Sequence, residues 1–337
     1  MPPLPLGKLP PELLAKIISG DIQDKRVIIG PRIGFDCAVV SAGDAYLVFK
    51  SDPITFASDE IGWYTVQVNA NDIATTGATP RWFLTTCLLP EGKTTPELVE
   101  TIAAQVARAC EQINVTVIGG HTEITYGLDR PIIVGTMIGE VAPKKMVTPD
   151  KLNPGDTLLL TKGVPIEATA ILAREFSDEL AHVLTAEELK TAQDYLYKPG
   201  ISVLKDAQIA VQHGRVTAMH DPTENGLAGG LWELAIASGH TLVIDPTAIP
   251  IPALSGKICA HFKLDPLATI ASGALLLACH PADASSIIQG LVDQGINCVT
   301  IGTIEKGNPE VWQQTEAGRI LLPRPVRDEI TRAYESA

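Results

Sequence analysis

The sequence predicts a two-domain protein built from alternating β-strands and α-helices. Three observations carry that reading. The chain has 337 residues, more than one hydrophobic core of ordinary size accommodates. Apolar strand-like runs such as AYLVFKSDPITFA, WFLTTCLLP and TLLLTKG alternate with stretches whose apolar residues recur at helical spacing. Residues 143–156, PKKMVTPDKLNPGD, are proline-rich and polar, the composition of a domain boundary.

Residues 10–19 (PPELLAKIIS) form a short amphipathic helix opened by proline. Lys8 lies ahead of it in GKLP, either as a flexible phosphate-reaching lysine or as an ordinary solvated one. GPRIGFDCAVV follows, with Asp36 at the start of an apolar strand; it lacks the GK[ST] ending and the following helix of a P-loop. The strand AYLVFKSDPITFA delivers Asp52 near its end, where α/β proteins place site residues and where turns also begin.

VQVNANDIATTGATP is then a helix with two distinct faces. Trp63, Val66, Ala70, Ile73, Ala74 and Gly77 make an apolar stripe, and Thr65, Asn69, Asp72 and Thr76 fall opposite. A solvated face normally carries long charged residues, whereas these are short, polar and good ligands. The same pattern also suits a small-residue face packed under another element. Gly77 ends the helix and Pro80 prevents its resumption. TTPELVETIAAQVARACEQI is a helix capped by threonine with Pro96 at its first position. VTVIGGHTEIT reads as strand, double glycine and a polar cluster of His121, Thr122 and Glu123. Gly119 and Gly120 at a strand end let backbone amides approach an anion, or simply make a tight turn.

Beyond the boundary, TLLLTKG is a strand and VPIEATAILAREF a helix, and TAEELKTAQDYL opens with a capping box, Thr185 with Glu188. ISVLKDAQIAVQHG is a helix closed by Gly214. In VTAMHDPTENGLAGGLWELAIASG a strand runs into Asp221, Pro222 and Thr223, then a glycine-rich helix start at Gly226. Such helix starts favour anions, because their first amides are unpaired and the dipole is positive there. Strands TLVI, ASGALLLAC and INCVTIGTI, a helix ADASSIIQGLVDQG, a hairpin VWQQTEAGRILL and a polar tail complete the chain.

A formal charge of −13 argues against a nucleic-acid partner. An acidic protein that handles nucleotides needs local neutralisation, for which carboxylate-held metal ions are the usual device. The N-terminus has no secretory pattern and no apolar run reaches membrane-spanning length. The six cysteines are scattered without a CxxC pair, as expected of reduced core thiols in a cytoplasmic protein.

From GPRIGFDCAVV through SDPITF, NANDIATTGATP, GGHTEIT, LLLTKG and DPTENGLAGG to ASGALLLAC, the motifs in this order resemble the aminoimidazole-ribonucleotide (AIR) synthase superfamily, whose fold is called PurM-like. The ND-x-A-x-x-GA-x-P and DPT-x-x-GLA segments look closest to its hydrogenase maturation branch, HypE. The resemblance implies an N-terminal segment (1–30), an α/β domain (31–148) that forms a homodimer, and an α+β domain (149–337) closing an ATP cleft. It places Asp36, Asp52, Asp72 and Asp221 as Mg²⁺ ligands around the triphosphate, with Asp72 and Asp221 at the chemistry. It gives Asn69, Asn71, Gly119, Gly120 and Gly226 to nucleotide binding, and the adjoining His121, Thr122, Glu123 and Thr223 are taken with them. Lys8 is added as the phosphate-reaching candidate, a weak stand-in for the lysine loop of another branch, which is absent here. The implied reaction is phosphoryl transfer from ATP to an oxygen of a small-molecule or peptide acceptor. A nucleotide-binding accessory protein that works with a maturation partner, and a small-molecule phosphate kinase, are the alternatives. The last cysteine is Cys298, whereas HypE ends in a cysteine that receives the carbamoyl group, which speaks against cyanide-ligand synthesis.

Overall fold

The computed structural model describes residues 4, 7–9, 11–18, 20 and 22–336. Contacts group the described residues into two compact units, one drawn from 22–30 and 36–146, the other from 1–21, 31–35 and 147–337. Helix α1 (Pro11–Ile17) belongs to the second.

The first unit comprises β1 (Val27–Ile29), β2 (Ala38–Ala42), β3 (Ala45–Ile54), α2 (Ile61–Thr75), β4 (Thr79–Pro90), α3 (Pro96–Gln112), β5 (Thr116–Thr125) and β6 (Ile132–Val141). Its six strands order β1-β2-β3-β6-β4-β5, antiparallel except for the parallel β4–β5 pair. Residues of β6 alternate between buried and half-buried, as a strand with one covered face must. Two of its buried positions are glycines, and α2 exploits them. A Cβ at Gly135 would lie 2.5 Å from Asn69 Nδ2, and one at Gly139 2.3 Å from Ile73 Cγ2, so the helix reaches the sheet only because no side chain intervenes. All of α2 is buried, the polar face included. Pro96 opens α3 behind Thr95, whose Oγ1 accepts from the Leu98 amide at 3.3 Å.

The double glycine does not end its strand. β5 runs extended through Gly119 and Gly120 into His121, Thr122 and Glu123, paired with β4 along its length apart from a register shift at Ile118. A Cβ at Gly120 would stand 2.2 Å from the Thr85 carbonyl oxygen, so close approach to β4 is what requires glycine there.

The second unit continues with β7 (Thr157–Thr161), α4 (Ile166–Glu175), α5 (Ser177–Leu180), α6 (Ala186–Gln193), α7 (Leu204–His213), β8 (Val216–His220), α8 (Gly226–Ser238) and β9 (Thr241–Ile244). After these come α9 (Ala253–Phe262), β10 (Leu276–Cys279), α10 (Ala284–Val292), β11 (Cys298–Glu305), β12 (Val311–Thr315), β13 (Gly318–Leu321) and α11 (Thr331–Ser336). Its seven strands order β13-β12-β9-β11-β7-β10-β8. Leu158 and Leu160 of β7, Leu231 and Leu234 of α8 and Leu276 of β10 share one core cluster. The predicted capping box is formed, Thr185 and Glu188 each bonding the other's amide.

Three expectations need correction. Helix α9 lies where no element was predicted, and the polar tail contains α11. In ASGALLLAC only Leu276–Cys279 pair as a strand, because the backbone turns at Ala271–Ala274 before the ladder begins. All six cysteines are buried, and none is in a disulfide among the described residues. Among the described residues, no helix is long and apolar enough to cross a membrane.

Candidate cation and nucleotide site

Lys50 and Asp52 are two residues apart on β3, so they project from the same face of the strand. Asp72 reaches them from the last turn of α2. Lys50 Nζ lies 3.1 Å from Asp52 Oδ2 and 3.2 Å from Asp72 Oδ1, with Asp72 almost wholly buried. Asp36, just ahead of β2, is close enough for its charge to act on both Lys50 and Asp72. Burial disfavours the Lys50 ammonium, but the carboxylates of Asp72, Asp52 and Asp36 outweigh it and hold its pKa well above the ordinary lysine value. Burial raises the Asp72 carboxyl, reinforced by Asp52 and Asp36 and opposed by Lys50. Asp72 Oδ2 is buried without a hydrogen-bond partner among the described residues.

Neighbouring groups fix this arrangement. The Asn69 side chain accepts from the Asp52 amide at 2.9 Å and donates to the carbonyls of Asp52 at 3.3 Å and Thr65 at 2.8 Å. Asn69 therefore locks the backbone that carries Asp52. The Cys37 thiol donates to the Asp72 carbonyl at 3.3 Å. Spacing alone could not join Asp36, Asp52 and Asp72, and the fold does. Lys50 was missed, although a lysine inside an otherwise apolar strand was a visible anomaly.

Asn71 is buried on α2. On β5, His121 Nε2 lies 3.2 Å from Glu123 Oε2, both exposed. Thr122 lines a cavity of about 310 Å³ between α3 and strands β4 and β5, with Cys87, Ile102 and Val106.

Asp221 and Thr223 belong to the other unit, after β8, where Asp221 is buried. The turn into α8 is already well bonded: the Gly226 amide donates to the Thr223 carbonyl at 2.9 Å and the Ala228 amide to Leu267 at 2.8 Å. The Asn225 amide donates to Asp328 Oδ2 at 2.5 Å. Lys8 Nζ sits 3.4 Å from Glu233 Oε1 and 3.8 Å from Glu224 Oε2, and Glu233 also meets His220 Nε2 at 2.8 Å. Burial would raise the Glu233 carboxyl, yet Lys8 and His220 bring it down to about 2.

A second group of acids was not anticipated. Glu167 on α4 accepts from the Ser272 amide at 3.1 Å, and Asp328 accepts from Asn225, Ile270 and Ile330. Burial pushes Glu167 up to about 7 and Asp328 up to about 6, and the charge of Glu224 adds to both. Among the described residues neither has a lysine or arginine in ion-pair reach.

Two family profiles match in tandem. The AIR synthase related protein N-terminal domain covers residues 34–141, and the AIR synthase related protein C-terminal domain covers residues 153–313. The chain belongs to the AIR synthase related family. A hydrogenase expression/formation protein of Methanocaldococcus jannaschii is 28% identical, over 97% of this chain and 96% of that protein. The protein named carbamoyl dehydratase HypE from Cupriavidus necator is 29% identical, over 83% of this chain and 77% of that one. Among solved structures, hydrogenase maturation protein HypE in complex with ATP superposes with a TM-score of 0.72 at 21% identity, covering 95% of this chain and 91% of that one. The fold is therefore the two-domain PurM-like fold of mixed α/β content.

Proposed function

We propose that this chain is an ATP-binding enzyme of the HypE type that transfers a phosphoryl group from ATP to an oxygen of a small-molecule or peptide acceptor. The observation that carries the reading is the cluster of Asp36, Asp52 and Asp72, in which a buried carboxyl oxygen of Asp72 has no hydrogen-bond partner among the described residues. A carboxyl oxygen left bare in the interior is costly unless a proton or a cation satisfies it, and a cation also offsets the neighbouring carboxylates. Hard, oxygen-seeking Mg²⁺ suits such a donor set, and Asp36, Asp52 and Asp72 would hold it. When bound, Mg²⁺ would neutralise charge on the phosphates. Asn69 keeps Asp52 in register, and α2, packed against Gly135 and Gly139, delivers Asp72 to a fixed place. The HypE–ATP likeness and the relative's name as a carbamoyl dehydratase support an ATP-driven activation of an oxygen as the chemistry.

The proposed assembly is a homodimer built on β5. This edge strand is exposed along nearly its whole length and shows Val117, Ile118 and Ile124 to solvent. A long apolar edge invites pairing unless it is covered, and a second copy of the chain is the cover we propose. Six buried thiols with no disulfide among the described residues suit a reducing compartment such as the cytoplasm.

The test is calorimetric titration with ATP, with and without Mg²⁺, on wild type and Asp72→Asn, followed by phosphate release. Mg²⁺-dependent binding lost in Asp72→Asn, with slow hydrolysis in wild type, supports the proposal. Binding without hydrolysis in the presence of candidate acceptors turns the reading toward an accessory protein, and absence of binding removes it. Light scattering checks the dimer, which Ile118→Arg should split; a monomeric wild type sinks it.

A further inference from the structure

Lys50 is a strange neighbour for a metal site. Its ammonium lies among the carboxylates expected to bind a cation, 3.1 Å from Asp52 and 3.2 Å from Asp72. It is carried by the middle of β3, where Lys50 pairs in register with Met137 of β6, so its backbone has no freedom to withdraw. Its side chain is only 15% exposed.

We infer that the Lys50 ammonium takes a cation position among Asp36, Asp52 and Asp72, so that the nucleotide-free protein holds one divalent ion fewer there than the three carboxylates could otherwise take. The inference rests on the Mg²⁺-dependent reading above. The count follows from the donors: Lys50 engages one oxygen of Asp52 and one of Asp72. The distances agree, since an ammonium contacts carboxylate oxygen near 3 Å, whereas Mg²⁺ sits about 2.0–2.1 Å from its ligands, so the two cannot share one position. Asp72 shows both roles at once: Oδ1 faces Lys50, and Oδ2 is buried without a hydrogen-bond partner among the described residues. One oxygen is thus committed to the resident cation and the other remains for an incoming one. An ordinary buried ion pair would have both oxygens satisfied.

The experiment follows Mn²⁺ binding to the nucleotide-free full chain by electron paramagnetic resonance, in wild type, Lys50→Gln and Lys50→Arg. Thermal melting is recorded in chelator and in Mn²⁺. Lys50→Gln is expected to gain an equivalent of Mn²⁺ or bind it at least tenfold more tightly. It should melt low in chelator and recover with Mn²⁺, while Lys50→Arg behaves as wild type. Lys50→Gln binding Mn²⁺ no more tightly than wild type overturns the inference. So does a Lys50→Gln protein that fails to fold with and without Mn²⁺, because a divalent ion then cannot replace the ammonium. Mn²⁺ binding by wild type in the presence of ATP, with no gain in Lys50→Gln, sinks the Lys50 role alone. No Mn²⁺ bound by any of the proteins, with ATP or without, sinks the Mg²⁺ reading as well.

Discussion

In one unit Asp36, Asp52 and Asp72 surround the Lys50 ammonium; in the other Glu167 and Asp328 face backbone amides. Asp72, Glu167 and Asp328 lie in the interior, where ionised carboxylates are poorly solvated, while Asp36 and Asp52 are half-buried; the remedies differ. A charged neighbour opposes the rise that burial imposes on Asp72 and leaves a spare oxygen for a second cation. Backbone amides satisfy oxygens without supplying full charge, so Glu167 is raised to about 7 and Asp328 to about 6, where protonation becomes the remedy. A cluster built around a cation is a place for metal chemistry. One built on amides holds loops together, and Asp328 ties Asn225, Ile270 and Ile330 to one another.

Removing the cation is the most direct way to break this contrast. Lys50→Ala, measured in chelator by urea denaturation, is expected to lose about 3–5 kcal/mol, because it strands buried carboxylates. A loss under about 1 kcal/mol would show that the acids never depended on it.

The amide-held cluster should respond to pH. The folded-state pKa of Glu167 stands at about 7 against 4.5 in the unfolded chain, so the folded form retains a proton that the unfolded form has lost. Stability therefore falls as pH rises through that window and levels off above it, by about 3 kcal/mol in all. Glu167→Gln should remove that slope. An identical pH profile for wild type and variant would mean that Glu167 is ionised and well satisfied.

Asn69→Ala sharpens the comparison at intermediate size, since it leaves the Asp52 amide without its acceptor. About 1–3 kcal/mol is expected from that desolvated group, together with weakened Mn²⁺ binding. Unchanged Mn²⁺ affinity would show that Asp52 is placed by β3 alone. Lys8→Ala gives the smallest effect, below about 1 kcal/mol, because Lys8 is a partly exposed cation at the rim of its acids. A larger loss on denaturation would make Lys8 a counterpart of Lys50 in the second unit.

Much of the fold was legible. Thr95 and Pro96 announce α3, Thr185 and Glu188 announce α6, and both act through neighbours three residues away. Asp36, Asp52 and Asp72 could be picked out as polar residues at element ends or on an unusual helix face. Their assembly could not, nor could the role of Gly120. A double glycine reads alike in a turn and in a strand, and only the nearness of Thr85 decides between them.

Periodicity, caps and turn residues are interactions within a few positions of chain, and the sequence states them outright: the alternating elements, the break near residue 150 and the acidic balance all follow from it. Electrostatics depends on distance in space. Lys50 matters because β3 and α2 bring Asp52 and Asp72 within 3.2 Å of its ammonium, and Glu167 is raised because the fold takes it out of water beside Ser272 and near the charges of Glu224 and Asp328. Neither environment has a local signature in the sequence, so packing alone decided which acids face an ammonium and which face backbone amides.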